Sequence, residues 1–302
     1  MTAPLIIWQF TDEKPGHENQ STGLIQAIKN RTPATSHKIV VPSSLFRFLF
    51  SLLFGRLYLQ LALLPKPTHL IAAGRRTQLP MILAHLWFGG KRIVLMRSYW
   101  PNPWFDYMII PKHDSPKKKT NILSTRGVVN NIKPSNHHNK NTGLILIGGP
   151  SQHYQWDSKD IVLQISTLLK AMPETSWTIA NSRRTPQEFF QLVTHLLNEQ
   201  HLIDHADVDS NWLPAQLAEA GQVWVSPDSV SMVYEAITAG AMVGCFELKK
   251  AQSNNRIVNG ISELIQSKMI TPFQQWQQSR QLTCPAHQLN EAQRAADWIL
   301  NQ

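Results

Sequence analysis

Short runs of β-branched and apolar residues recur along the chain, each closed by a Gly-, Pro- or polar-rich loop and followed by apolar positions at helical spacing. Leu5–Phe10, Lys38–Val41, Leu70–Ala72, Arg92–Met96 and Asp106–Ile110 read as one series of strands. Leu144–Ile147, Trp177–Ala180, Val223–Val225 and Met242–Phe246 read as a second. Helices are predicted through Gly23 to Ile28, after Gly74-Arg75-Arg76, over Ser158–Ala171, after Pro186, beyond Ser231, over about 253–267 and over Leu289–Leu300. Strands that alternate with helices in this way give βαβ units and parallel sheets. The fold class is therefore α/β. A polar stretch with Pro134, Asn136, His137, His138, Asn139 and Asn141 sets the linker near 134–141 and the domains at 1–137 and 138–302.

One segment breaks the pattern. Between Ser44 and Leu64 the chain is apolar and aromatic on all sides, interrupted by Arg47, Gly55, Arg56 and Gln60. It has nearly the length of a membrane span, about 20 residues, but charges near a helix centre are costly in lipid. A helix lying on a bilayer surface through 45–64, its arginines meeting anionic head groups, fits better. The competing reading is an apolar helix packed in the N-terminal core.

A net charge of +9 points to anionic partners. No basic block is interleaved with aromatics, so nucleic acid ranks last among them. The two cysteines, Cys245 and Cys284, are far apart and in no ligand-like spacing, which indicates a reducing compartment with neither disulfide framework nor zinc site. The adjacent histidines His137 and His138 lack ligand-type neighbours and are not read as a metal site. Met1-Thr2-Ala3-Pro4 has no basic leader pattern, so a cytoplasmic protein is expected, peripheral on the inner face of the membrane if 45–64 docks there.

Candidate chemistry gathers at loops that follow the C-terminal strands. Asp228, Ser229 and Ser231 mark a helix start after a buried strand, where open N–H groups favour an anion. Glu235 lies one turn on, within reach of a ribose diol if a nucleotide sits there, or else simply solvated on a well-capped helix. Gly148 and Gly149, followed by Ser151, permit close backbone approach. Arg183 and Arg184 offer forked donors suited to phosphate oxygens. All stand at carboxyl ends of strands, where open α/β sheets bind ligands. Together they describe a nucleotide-diphosphate pocket.

Three blocks also carry a family resemblance: Lys14-Pro15-Gly16-His17-Glu18-Asn19-Gln20-Ser21, Ile147-Gly148-Gly149-Pro150-Ser151, and Asp228-Ser229-Val230-Ser231-Met232 with Glu235-Ala236. They resemble the signature stretches of the mitochondrial fission "elongated mitochondria" family of bacteria and plants. Glu13 departs from that pattern, in which a Gly usually precedes the Lys. The family is in turn similar to the two-domain B-type glycosyltransferases. That likeness implies two Rossmann-like domains facing across a cleft, a nucleotide-sugar donor on the second, and a last helix, 289–300, returning to the first. It also implies a metal-independent inverting transfer without cofactor, onto an anionic lipid or lipid-linked envelope acceptor.

On that reading the Gly16-His17 loop resembles the one that holds the catalytic base. His17 is the first choice, because an imidazole titrates near neutrality; Glu18, Asp12 and Glu13 are rivals. Lys14 is a candidate for a phosphate or acidic acceptor, and Arg75 and Arg76 for the acceptor side. A non-catalytic scaffold acting through protein or membrane contacts, and a nucleotide-sugar epimerase, are the alternatives.

Overall fold

A computed structural model of the chain describes residues 3–42, 55–195, 202–251, 256–285 and 288–302. The chain forms two compact units, one of residues 1–131 and 290–302, the other of 132–289.

The first unit is built on a six-stranded sheet of order β2-β1-β3-β4-β5-β6. Its strands are β1 (Leu5–Thr11), β2 (Ala34–Val40), β3 (His69–Ala73), β4 (Lys91–Leu95), β5 (Tyr107–Pro111) and β6 (Ile122–Thr125). All neighbours pair in parallel. Successive side chains of a strand point to opposite faces, and both faces here are covered. Ile7, Ile71, Ala73, Ile93 and Ile109 pack with Leu24 and Ile28 of helix α1 (Pro15–Lys29), while Trp8, Phe10, Leu70, Ala72, Val94 and Met108 pack with Met81 and Ile82 of the Arg75–Phe88 helix. That two-sided burial explains why the strands read as continuous apolar runs.

The last helix, Glu291–Leu300, belongs to this first unit and lies against α1. Asn290 Oδ1 accepts a hydrogen bond from the Gln293 amide at 2.9 Å and caps it. Ala292, Ala295, Ala296 and Ile299 form its buried stripe at helical spacing.

The second unit repeats the plan with a parallel sheet of order β10-β9-β7-β11-β12-β14. Its strands are β7 (Asn139–Leu146), β9 (Ser176–Ala180), β10 (Leu202–Ile203), β11 (Ala220–Val225), β12 (Met242–Cys245) and β14 (Thr271–Pro272). Leu144, Leu146, Val223 and Val225 face one core; Ile145, Ile147, Trp177 and Trp224 face the other. A two-stranded antiparallel pair, β8 (Tyr154–Gln155) with β13 (Lys249–Lys250), lies beside it.

Several elements differ from the sequence reading. β2 begins at Ala34, and β7 begins at Asn139, inside the stretch predicted as linker. The first three residues of β7 are polar and exposed, so no hydrophobic signal announces them. β6 and the Phe273–Ser279 helix went unpredicted for want of a long apolar run. The predicted 45–64 helix lies outside the described residues as far as 54; its described end is the helix Arg56–Ala62. No described helix is long and apolar enough to cross a membrane.

Candidate functional site

In both sheets the chain order reverses once, between β1 and β3 in the first and between β7 and β11 in the second. Loops leaving the carboxyl ends of such strand pairs diverge and leave a crevice, where open α/β folds bind ligands. Of the predicted site residues, Asp12, His17 and Glu18 stand at the first place and Gly148, Gly149, Asp228, Ser229 and Ser231 at the second, while Arg183 and Arg184 follow β9, the strand beside β7.

In the second unit the loops after β7 and β11 are laced together. The Gly148 amide donates to Ser226 Oγ at 2.8 Å and the Gly149 amide to Asp228 Oδ2 at 2.9 Å. Arg184 Nη2 reaches the same Oδ2 at 2.9 Å, and its Nη1 donates to the carbonyls of Gly149 and Pro150 at 3.2 Å each. A Cβ on Gly148 would meet the Asp228 carboxylate at 2.1 Å, so the close approach that this glycine permits is made by the protein itself. Burial raises the Asp228 pKa, against the pull of the Gly149 amide, Ser226 and Arg184. Its Oδ1 is buried without a hydrogen-bond partner among the described residues. Ser151 Oγ accepts from the amides of His153 and Tyr154 at 3.2 and 3.3 Å, an ordering contact within its own loop.

Beside this clasp lies a cavity of about 530 Å3, lined by Arg183, Ser229, Ser231, Asn181, His205 and Trp212, with Arg184 and several apolar side chains completing the wall. Arg183 is exposed and makes no ion pair or hydrogen bond among the described residues. The helix Val230–Ala239 opens onto the cavity with Ser229 at its N-cap position and no side-chain cap. The predicted cap, Asp228, is drawn away by Gly149 and Arg184 instead. The first intrahelical bond there is from Val233 to Ser229, which leaves the first-turn amides for a ligand.

Glu235 is not among the residues that line this cavity. It is buried, has no hydrogen-bond or ion-pair partner among the described residues, and burial pushes its pKa up to about 7. Asn181, His205 and Trp212 escaped the sequence reading. Asn181 Oδ1 accepts from the His205 amide at 2.6 Å, a contact that ties the ends of β9 and β10 together. The dipeptide that forms β10 carried too weak a signal to place it.

In the first unit, Asp12 and His17 meet at the end of β1. His17 Nδ1 lies 2.9 Å from Asp12 Oδ1, with the Asp12 side chain 2% exposed and that of His17 22%. An Nδ1–H donated to the carboxylate leaves Nε2 as the basic nitrogen. Gly74, after β3, has φ +89, and a Cβ there would strike the His17 ring at 2.4 Å. Lys14 Nζ stands 3.9 Å from Asp12 Oδ2. Glu18 is paired with Lys38. Arg75 stacks over the Tyr99 ring at 4.2 Å. Of the adjacent histidines, His138 turns both ring nitrogens to the carbonyls of Ala220 and Ala239, at 2.8 and 3.1 Å.

The sequence model of mitochondrial fission ELM1 matches residues 15–302. The chain belongs to the mitochondrial fission ELM1 family. Among curated proteins nothing matches. Solved structures do. The UDP-GlcNAc 2-epimerase of Methanocaldococcus jannaschii superposes with a TM-score of 0.60 at 12% identity, covering 99% of this chain and 100% of its own. Acinetobacter baumannii MurG gives 0.53 at 12%, over 99% and 100%. The glycotransferase of kitacinnamycin gives 0.52 at 13%, over 99% of each. At such identities the likeness establishes the fold, that of the B-type glycosyltransferases and related epimerases. The family member described here thus carries the two-unit α/β scaffold of that fold.

Several large apolar side chains of the first unit are exposed: Tyr58, Leu59, Leu63, Leu86 and Trp87, with Tyr58 meeting Trp87 edge-on at 5.4 Å and stacking on Phe88 at 5.3 Å.

Proposed function

We propose that the protein is a metal-independent, inverting glycosyltransferase that takes its donor sugar from a nucleoside diphosphate and works on an acceptor at a membrane surface. One observation carries the proposal: Arg183, without a partner among the described residues, and an uncapped helix start at Ser229 line the same cavity. Open amides, the positive end of a helix and a free guanidinium suit a diphosphate and the charge it gains on departure. The nucleobase is assigned to the Trp212 and Leu213 side of the cavity, which offers apolar surface.

His17 is assigned as the base that takes the acceptor hydroxyl's proton through Nε2, with Asp12 holding the tautomer. Glu235 stands off the cavity and enters the proposal only as a buried carboxyl. The exposed Tyr58–Trp87 surface supports docking to lipid, as aromatic side chains favour that boundary.

A panel of nucleoside diphosphates and nucleotide sugars tested by thermal shift decides the donor assignment. A ligand that binds only the folded chain stabilises it by about 2.7 kcal/mol at a hundred times its Kd. A shift that vanishes in Arg183→Ala supports the proposal; no shift with any member of the panel removes it and favours a non-catalytic scaffold. A second reading, a nucleotide-sugar epimerase, is favoured by the higher TM-score to the M. jannaschii epimerase. Conversion of a UDP-sugar without any acceptor would establish that reading over transfer.

A further inference from the structure

The first unit contains a second cavity, of about 330 Å3, lined by Arg97, Ser98, Asn102, Asp114, Lys117 and Lys119. Its walls come from loops after β4 and β5, adjacent strands of one parallel sheet, at the carboxyl edge where such sheets take ligands. Three cationic side chains, all exposed, and one carboxylate share the lining. Among the described residues none of the three makes an ion pair or side-chain hydrogen bond. Like charges that line one cavity repel one another, and a bound anion relieves that repulsion.

Both loops also hold unusual backbone. Met96, immediately before Arg97, has φ 70, and Ser115, before the lysines, has φ 50. Side-chain-bearing residues disfavour that region; Ser115 takes it up in closing the short turn Lys112–Asp114, so both loops follow a fixed course past the cavity. Ser98 Oγ donates to Gln78 Oε1 at 2.9 Å and accepts from the Trp100 amide at 2.9 Å, which fixes the turn that presents Arg97.

We propose that this cavity binds a doubly charged phosphate group, either a phosphate monoester or a bridging diphosphate, carried by the protein's second ligand. The lining charge of three cations and one acid is matched by a dianion and exceeds what a single carboxylate would answer. Arg97 supplies the forked donor that planar and tetrahedral oxyanions favour, and the two lysines supply point charges. In the glycosyltransferase reading the bound group belongs to the acceptor, but the anion site stands without that reading.

The test is titration of the full chain with pyrophosphate, followed through the backbone amide signals of Ser98, Asn102 and Ser115. Saturable shifts are expected there, weakened tenfold or more in Arg97→Ala/Lys119→Ala and largely kept in Arg97→Lys. Melting temperature and nucleoside-diphosphate shifts around Ser229 should stay unchanged in these variants, so failure of this site is distinguishable from failure of the donor site. Vesicles containing phosphatidic acid give the second arm. Their binding, lost in the double variant, identifies a lipid-borne phosphate; pyrophosphate binding alone identifies a soluble ligand. Absence of saturable shifts at Ser98 and Asn102, or shifts indifferent to the double substitution, overturns the proposal.

Discussion

Arg184 Nη2 stands 2.9 Å from the buried carboxylate of Asp228, while Arg183, one residue earlier, lines the adjacent cavity without a partner among the described residues. Two neighbouring arginines therefore do different work. Removal of Arg184 leaves Asp228 buried with fewer partners, which for a half-exposed arginine should destabilise the chain by about 1–3 kcal/mol. Arg183→Ala should leave stability within about 0.5 kcal/mol of the parent and reduce nucleoside-diphosphate affinity by roughly tenfold to a hundredfold, the range for a charge-assisted hydrogen bond of 1.5–3 kcal/mol. Urea unfolding and calorimetric titration of both variants check the division. Equal effects of the two substitutions on binding and on stability would remove it.

This division marks the limit of what the sequence makes legible. Strand positions were readable because residues such as Ile71 and Leu70 alternate between two buried faces, so the whole run is apolar. Loop residues were readable only by type. Asp228 has the chemistry of a helix cap, and nothing local reveals that Gly149 and Arg184, at positions 149 and 184 of the chain, claim it first. Ser231 and Glu235 share a helix face by spacing, yet Ser231 is exposed on the cavity and Glu235 is buried off it. Long-range packing decides which of two adjacent side chains is free, and no short window of sequence contains that information.

Glu235 gives a pH prediction with a definite sign. Its folded-state pKa, about 7, is raised above the ordinary carboxylate value of 4.5 by burial. A raised pKa means that the folded chain holds the proton more tightly than the unfolded one. Its contribution is full below pH 4.5 and is lost as pH rises toward 7, a difference of roughly 3 kcal/mol at 1.36 kcal/mol per unit. Glu235→Gln should thus match the parent near pH 4 and exceed it at pH 8 by an amount of that order. Denaturant midpoints measured across this range for both chains check it. A difference that is flat with pH would show that the carboxyl titrates normally.

The Asp12–His17 pair predicts a separable loss of turnover. His17→Ala removes the proposed base and should lower kcat by about 10²–10⁴ while nucleoside-diphosphate binding persists. Asp12→Asn keeps the shape of the contact but offers the ring an amide, which releases the Nδ1–H tautomer and should lower kcat with little change in KM. An assay with the true donor and acceptor reads both. Turnover that survives His17→Ala would pass the role of base to another group in the loop.

Glu13 supplies the last prediction, and it comes from a departure in the sequence. The resembling family usually has Gly before the Lys of this block, and in the structure Glu13 indeed adopts φ 59. Left-handed backbone costs a residue with a Cβ about 1–2 kcal/mol. Gly avoids that strain, although it gives back about 0.5–1 kcal/mol through the freedom of the unfolded chain. The Glu13 amide donates to Thr11 Oγ1 at 3.0 Å, a bond that does not need the glutamate side chain. Glu13→Gly should therefore stabilise the protein slightly, by up to about 1 kcal/mol, with the Asp12–His17 contact kept. Glu13→Val should do the opposite, since a β-branched side chain tolerates that region least. Melting temperatures of the two variants on either side of the parent would establish that the loop's geometry, and not the residue at 13, holds His17 in place.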